Sequence, residues 1–132
     1  MSENNQFRLL LVEDDEGTVY SVKRCLSLLE PSIHLSLAVE GREAVSLCKE
    51  QDYNLILMDL RLPGMDGIEA TKEIRKQSKN QQSPIIAFTA NSREYPREFC
   101  LGVGMNDLID KPFDVDELLE LIQNYIDTSP IA

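Results

Sequence analysis

Tryptophan is absent, histidine occurs once and cysteine three times. The lone histidine, His34, has no second imidazole with which to share a metal and opens a predicted strand, so it reads as a structural residue rather than a ligand or group carrier. Cys25, Cys48 and Cys100 fall one to a predicted helix with no CxxC pair. That excludes the common zinc and dithiol motifs and leaves small buried thiols in a reducing compartment. No apolar run reaches the length of a bilayer-spanning helix. Met1 to Gln6 is polar where a secretory signal carries an apolar stretch. The expected location is therefore the cytoplasm. Basic residues are scarce, 13 against 23 acids, for a net charge of −10. Neither nucleic acid nor an anionic membrane is an expected partner, because both demand a basic face. Part of the acidity suits a cation site instead.

What is present is a regular alternation of two periodicities. The 132 residues favour one domain, 1–132, with a core over about 7–127. Phe7 to Val12 is a short apolar run that ends abruptly in Glu13-Asp14-Asp15. Asp15 to Leu29 then carries Val19, Val22, Leu26 and Leu29 at helical spacing, and Glu30-Pro31-Ser32 breaks it. His34 to Ala38 reads as a strand and Gly41 to Gln51 as a helix with Val45 and Cys48 inward. Leu55-Ile56-Leu57-Met58 is the continuous apolar run of a strand covered on both faces. A helix is predicted from Asp66 to about Lys79, a strand over Pro84 to Phe88, and a weaker helix from Ser92 to Leu101 interrupted by Pro96. Leu108-Ile109 is a short last strand, and Asp114 to Ile126 a strong amphipathic helix capped by Asp114. Thr128 to Ala132 reads as a tail. Five strands alternating with five helices predict an α/β, flavodoxin-like (βα)5 fold, a parallel sheet of order 2-1-3-4-5.

In such a sheet chemistry collects beyond the carboxyl ends of the strands. The first strand delivers Glu13, Asp14 and Asp15; the third Asp59; the fourth Thr89 and then Ala90; the fifth Lys111 and Pro112. Opposed carboxylates repel one another, and a divalent cation such as Mg²⁺ removes the conflict with oxygen ligands. Asp14 or Asp15 alone would be read as a helix cap. Three acids in a row exceed what capping needs, so Asp15 is assigned the cap and Glu13 and Asp14 the metal. Asp59, after four apolar residues, is poorly solvated without a partner, and a carboxylate can act as a nucleophile toward phosphorus. Mg²⁺, the Lys111 ammonium and the Thr89 hydroxyl would then each take one phosphoryl oxygen. Small Ala90 and flexible Gly64 leave room for a donor. A cis peptide before Pro112 is expected to aim Lys111 back over the sheet.

Four stretches carry a resemblance: Leu9-Leu10-Leu11-Val12-Glu13-Asp14-Asp15; Met58 through Gly67; Pro84 through Ala90; and Gly104 through Phe113. In that order, on those strand ends, they strongly resemble the receiver domain of two-component response regulators, over essentially the whole chain. The resemblance implies that Asp59 is the phosphoacceptor, that Glu13, Asp14 and Asp59 bind Mg²⁺ with the Arg61 backbone carbonyl, and that Thr89 and Lys111 contact the phosphoryl group. It implies a histidine kinase, a histidine phosphotransfer protein or a small acyl phosphate as donor. It also implies a downstream protein on the face of the fourth helix, fifth strand and fifth helix, and no multi-turnover enzyme activity. Arg61 and Asn91 are implied to flank the acyl phosphate and tune its lifetime.

One position departs from the family: Leu108 stands where many receivers carry Tyr or Phe. An aromatic rotamer readout is then missing, and output is expected to rest more on the loop and helix after Thr89. Rival readings stay in view. A haloacid-dehalogenase-like phosphatase usually needs a second acid two residues after the nucleophile, where this chain has Arg61. A flavodoxin needs a Ser/Thr/Gly-rich loop after the first strand, where Glu13-Asp14-Asp15 would repel phosphate. A pseudo-receiver working without phosphorylation is the third. The chain reads either as a stand-alone receiver or as one part of a larger regulator or hybrid kinase.

Overall fold

Alternating apolar residues build a sheet with two buried faces. In the computed structural model, which describes residues 6–29, 33–90 and 93–129, the strands are β1 (Phe7–Val12), β2 (Ile33–Ala38), β3 (Leu55–Asp59), β4 (Ile85–Thr89) and β5 (Asp107–Asp110). All neighbours pair in parallel, in the order β2-β1-β3-β4-β5, which is the predicted order. The helices are α1 (Glu16–Leu26), α2 (Gly41–Glu50), α3 (Gly67–Arg75), α4 (Arg97–Val103) and α5 (Val115–Thr128). Met1–Asn5, the predicted break at Glu30-Pro31-Ser32, Asn91, Ser92 and the tail beyond Ser129 lie outside the described residues.

The period of two sorts each strand between two cores. Leu10, Val12, Ile56, Met58, Ile85 and Ala87 pack with Ala44, Cys48, Ile68, Ile74 and Cys100 from α2, α3 and α4. Phe7, Leu9, Leu11, Leu55, Leu57, Phe88 and Ile109 pack with Val22, Cys25, Leu118, Ile122 and Ile126 from α1 and α5. Every residue of β3 and β4 is buried. Each large aliphatic side chain there contributes roughly 1.5–3 kcal/mol on burial, enough to offset the roughly 1–2 kcal/mol of backbone entropy its ordering costs. The central strands are therefore a stiff platform for whatever follows their last residues. The three thiols are buried and unpaired, as predicted.

Four helix ends differ from the periodicity. α1 stops at Leu26, and Leu29 reaches the second core from the turn beyond it. α4 begins after Pro96 rather than running through it. The proline supplies the carbonyl that receives the Phe99 and Cys100 amides, and it disfavours helix in the residue before. α3 ends at Arg75, four residues short of Lys79. There the Arg75 guanidinium turns to the Gly104 carbonyl, at 2.9 and 2.7 Å, and to the Asn80 carbonyl at 2.9 Å. The fifth helix runs longer than predicted and includes Thr128.

Asn80 holds that turn. It is buried, has φ of 64°, and its side chain accepts from the Tyr53 amide and the Ser83 hydroxyl while donating to the Cys48 and Gln51 carbonyls. Asn80→Ala strands a buried N–H and two carbonyls at a cost of about 1–3 kcal/mol each, less than additively, and leaves a Cβ-bearing residue at positive φ without local hydrogen bonds. The expected loss in a urea melt is about 3 kcal/mol or more. A loss below about 1 kcal/mol would mean that water replaces the side chain.

Candidate functional site

The strand alternation brings the acids and the lysine together. Leu9 and Leu11 face α1 and α5, as do Leu55 and Leu57, and Ile109; two residues further on come Glu13, Asp59 and Lys111. These three meet beyond the carboxyl edge. Lys111 Nζ lies 2.6 Å from Glu13 Oε1 and 3.3 Å from Asp59 Oδ2, and 5.4 Å from the centre of the Phe88 ring. Glu13 is 1 % exposed and Asp59 5 %. The Lys111–Pro112 peptide is cis, as expected.

Local main chain fixes the carboxylates. Glu13 Oε2 accepts from the Asp15 amide at 3.1 Å, and Asp59 Oδ1 from the Arg61 amide at 3.1 Å. Asp15 itself caps α1, accepting from both the amide and the hydroxyl of Thr18 at 2.8 Å, which separates the cap from the other two acids as predicted. These bonds hold the exposed Asp15 carboxyl below its ordinary pKa. Glu13 is the opposite case. Burial pushes its carboxyl up to about 7; the Lys111 hydrogen bond draws it back only in part, and the Asp59 charge adds to the rise. Burial works against the Lys111 charge, but the Glu13 hydrogen bond and the two carboxylates outweigh it and hold its pKa above the ordinary value.

Glu13, Asp14 and Asp59 each offer a carboxylate oxygen, all within 4.8 Å of one another. Ligands of octahedral Mg²⁺ lie about 3 Å apart when adjacent and about 4 Å apart when opposite, so the three oxygens would have to draw together by up to about 2 Å around a hard divalent cation. Burial raises the Glu13 carboxyl in spite of Lys111, and a cation held there would offset that penalty. Thr89 is buried at the end of β4, one step beyond Phe88, the register partner of Asp59. The Lys111 amide donates to its carbonyl at 2.8 Å. Gly64 has φ of 70° with open space about it: it serves the turn of the loop. Gly67, not singled out in the sequence, is the tight position, since a Cβ there would stand 2.2 Å from the Asp59 carbonyl oxygen. The Arg61 guanidinium, placed beside the acyl phosphate by the resemblance, pairs instead with Glu94 in the segment between β4 and α4. No sequence signal marks that pair, because it depends on how two loops meet. A groove of about 740 Å³ adjoins the acids on the α1 side, lined by Tyr20, Arg24, Leu28, Lys111 and Phe113 among others.

A flavodoxin-like sheet with acids and a lysine gathered at its carboxyl edge defines a receiver-type signalling module. The chain belongs to the response regulator receiver domain family, whose model matches residues 9–123. It is 38 % identical over 125 residues to the signal transduction histidine-protein kinase BarA of Escherichia coli K12, a match covering 94 % of this chain and 13 % of that protein. It is 33 % identical over 123 residues to the response regulator ArlR of Staphylococcus saprophyticus, covering 93 % of this chain and 54 % of that one. The chain thus spans only part of each of these relatives. Among solved structures it resembles the receiver domain of sensor histidine kinase PA1611 from Pseudomonas aeruginosa PAO1, with 41 % identity and a TM-score of 0.83, over 93 % of this chain and 99 % of that one. That structure has a magnesium ion coordinated in its active site cleft. No described helix of this chain is long and apolar enough to cross a membrane.

Proposed function

We propose that the chain, as one domain, accepts a phosphoryl group on Asp59 from a histidine kinase, a histidine phosphotransfer protein or a small acyl phosphate. The observation that carries this reading is the shared contact of Lys111 with Glu13 and Asp59, beside acids spaced for a divalent cation. Glu13, Asp14 and Asp59, with the Arg61 carbonyl, are the ligands we assign to Mg²⁺, which when bound neutralises charge on the phosphoryl oxygens. An Asp59 oxygen attacks phosphorus as the bond to the donor breaks, and the donor's leaving group takes that electron pair. Lys111 holds one equatorial oxygen and the Thr89 hydroxyl another. The groove beside α1, with Tyr20 and Leu28 exposed, offers a donor protein a surface next to Asp59. Output goes to a downstream protein on the α4–β5–α5 face. Leu108 on β5 packs against the α2–α3–α4 core, so coupling falls mainly to α4 and the loop before it.

The test is intact mass after incubation with acetyl phosphate and Mg²⁺. A single phosphoryl adduct is expected on the unaltered chain, lost on chelating the metal and absent from Asp59→Asn. Repeated failure, with a phosphotransfer protein as donor and with beryllofluoride as mimic, would leave a pseudo-receiver that binds its partner without phosphorylation.

A further inference from the structure

Arg61 is tied to the acceptor at one end and held elsewhere at the other. Its amide donates to Asp59 Oδ1, so its Cα sits beside the carboxylate. Its side chain, 61 % exposed, is committed to Glu94, 42 % exposed. Glu94 is itself anchored. The next residue, Tyr95, lies with its ring tilted against that of Phe99 of α4, centres 6.5 Å apart, and accepts from the Cys100 thiol through its carbonyl at 3.7 Å. The backbone that carries Glu94 is therefore held at the base of α4, and its carboxylate pairs with the guanidinium across the two loops. A guanidinium matches phosphoryl oxygens with paired donors, and exposed ion pairs are weak and salt-sensitive. Which anion holds Arg61 is thus easily changed.

We propose that Glu94 is a positioning residue that keeps the Arg61 guanidinium off the phosphoryl group at Asp59 and so restrains phosphorylation by small acyl phosphates. The inference rests on the phosphoacceptor reading above. In the step concerned, an Asp59 oxygen bonds to phosphorus while the phosphorus–oxygen bond of acetyl phosphate breaks and acetate leaves with its electrons. No proton or oxidant is needed. A guanidinium brought to the equatorial oxygens neutralises charge in that transition state, so releasing Arg61 accelerates it.

The experiment is a double-mutant cycle on the rate of adduct formation, followed by intact mass with acetyl phosphate and Mg²⁺. Glu94→Gln is expected to raise the rate roughly threefold or more, the scale of an exposed charge pair, and the gain shrinks in high salt. In an Arg61→Ala background the same change is expected to do nothing. Thermal melts establish that all four proteins are folded. An unchanged or slower rate in Glu94→Gln, or an equal gain in the Arg61→Ala background, overturns the role of Glu94 while the phosphoacceptor reading stands. Absence of any adduct on the unaltered chain overturns both.

Discussion

Lys111→Met is expected to remove the phosphoryl adduct, lower stability by about 3 kcal/mol at pH 8, and tighten Mg²⁺ binding about tenfold. The lysine is the counter-ion of two buried carboxylates, at 2.6 and 3.3 Å. Removing one partner of a buried pair typically costs about 3–5 kcal/mol. The lower end applies here, because the lysine side chain keeps 17 % exposure and Glu13 can escape by taking a proton. That escape sets the pH dependence. The folded-state pKa of Glu13 is raised from 4.5 to about 7, so the folded chain binds this proton more tightly than the unfolded one. Its favourable contribution is complete below about 4.5 and is lost as pH rises through about 7. Without Lys111 the proton is held still more tightly, so the variant is penalised more at pH 8 than at pH 6.

Metal affinity moves the other way. An ammonium about 5 Å from a divalent cation repels it by about 3–7 kcal/mol at an effective dielectric of 20–40; screening by solvent and salt reduces this to the scale of the tenfold effect, and methionine removes that repulsion. The gain shows only where Glu13 is ionised, so calorimetric titration belongs at pH 8. Urea melts at pH 6 and 8, with and without Mg²⁺, complete the measurement. Equal stability losses at both pH values together with unaltered Mg²⁺ affinity would mean that the lysine is not the counter-ion of this cluster.

The strand ends were legible in the sequence because they rest on the strongest local signals. An apolar run such as Leu55 to Met58 has nowhere to go but a covered strand, and the polar residue that stops it must surface at the edge. Three such stops, at Glu13, Asp59 and Thr89, with Lys111 one residue past the stop at Asp110, point to the candidate site once the parallel order is inferred. Helix ends were less legible, because they are decided by partners distant in sequence. Arg75 leaves α3 for Gly104, 29 residues away. Asn80 joins the ends of α2 and the approach to β3 through a single amide, and nothing in the polar string around it distinguishes it. Glu94 was hidden for the same reason. The sequence offers the lysine as a phosphoryl contact; that it lies nearer Glu13 than Asp59 depends on how the strand ends meet.

Gly67→Ala is expected to be the most damaging single methyl in the chain's reach of Asp59. Its Cβ would stand 2.2 Å from the Asp59 carbonyl oxygen, 2.9 Å from Leu60 Cα and 3.0 Å from the Asp59 carbonyl carbon. All three are backbone atoms at or just beyond the end of a central strand, with β1 and β4 on either side, so the strand cannot yield. The helix must. Moving α3 off the sheet stretches the bond from the Gly67 amide to the Leu60 carbonyl, now 3.1 Å, and unseats Ile68, Ala70 and Ile74 from the core. Overpacking of this kind costs about 1–3 kcal/mol and more where the obstacle is main chain; about 3 kcal/mol is expected in a thermal melt. The same displacement reaches the chemistry, because the loop from β3 to α3 is pulled with the helix and carries Arg61, whose amide holds Asp59 Oδ1. A shift near 1 Å in a reacting group costs on the order of 100-fold, so adduct formation should slow by at least 10-fold. Gly102→Ala is the matching control: it lies within α4 with nothing close to the added methyl, and alanine there should stabilise by about 0.5–1 kcal/mol. If Gly67→Ala melts and reacts like the unaltered chain, α3 can move without disturbing Asp59, and the close helix–strand contact is not what positions the acceptor.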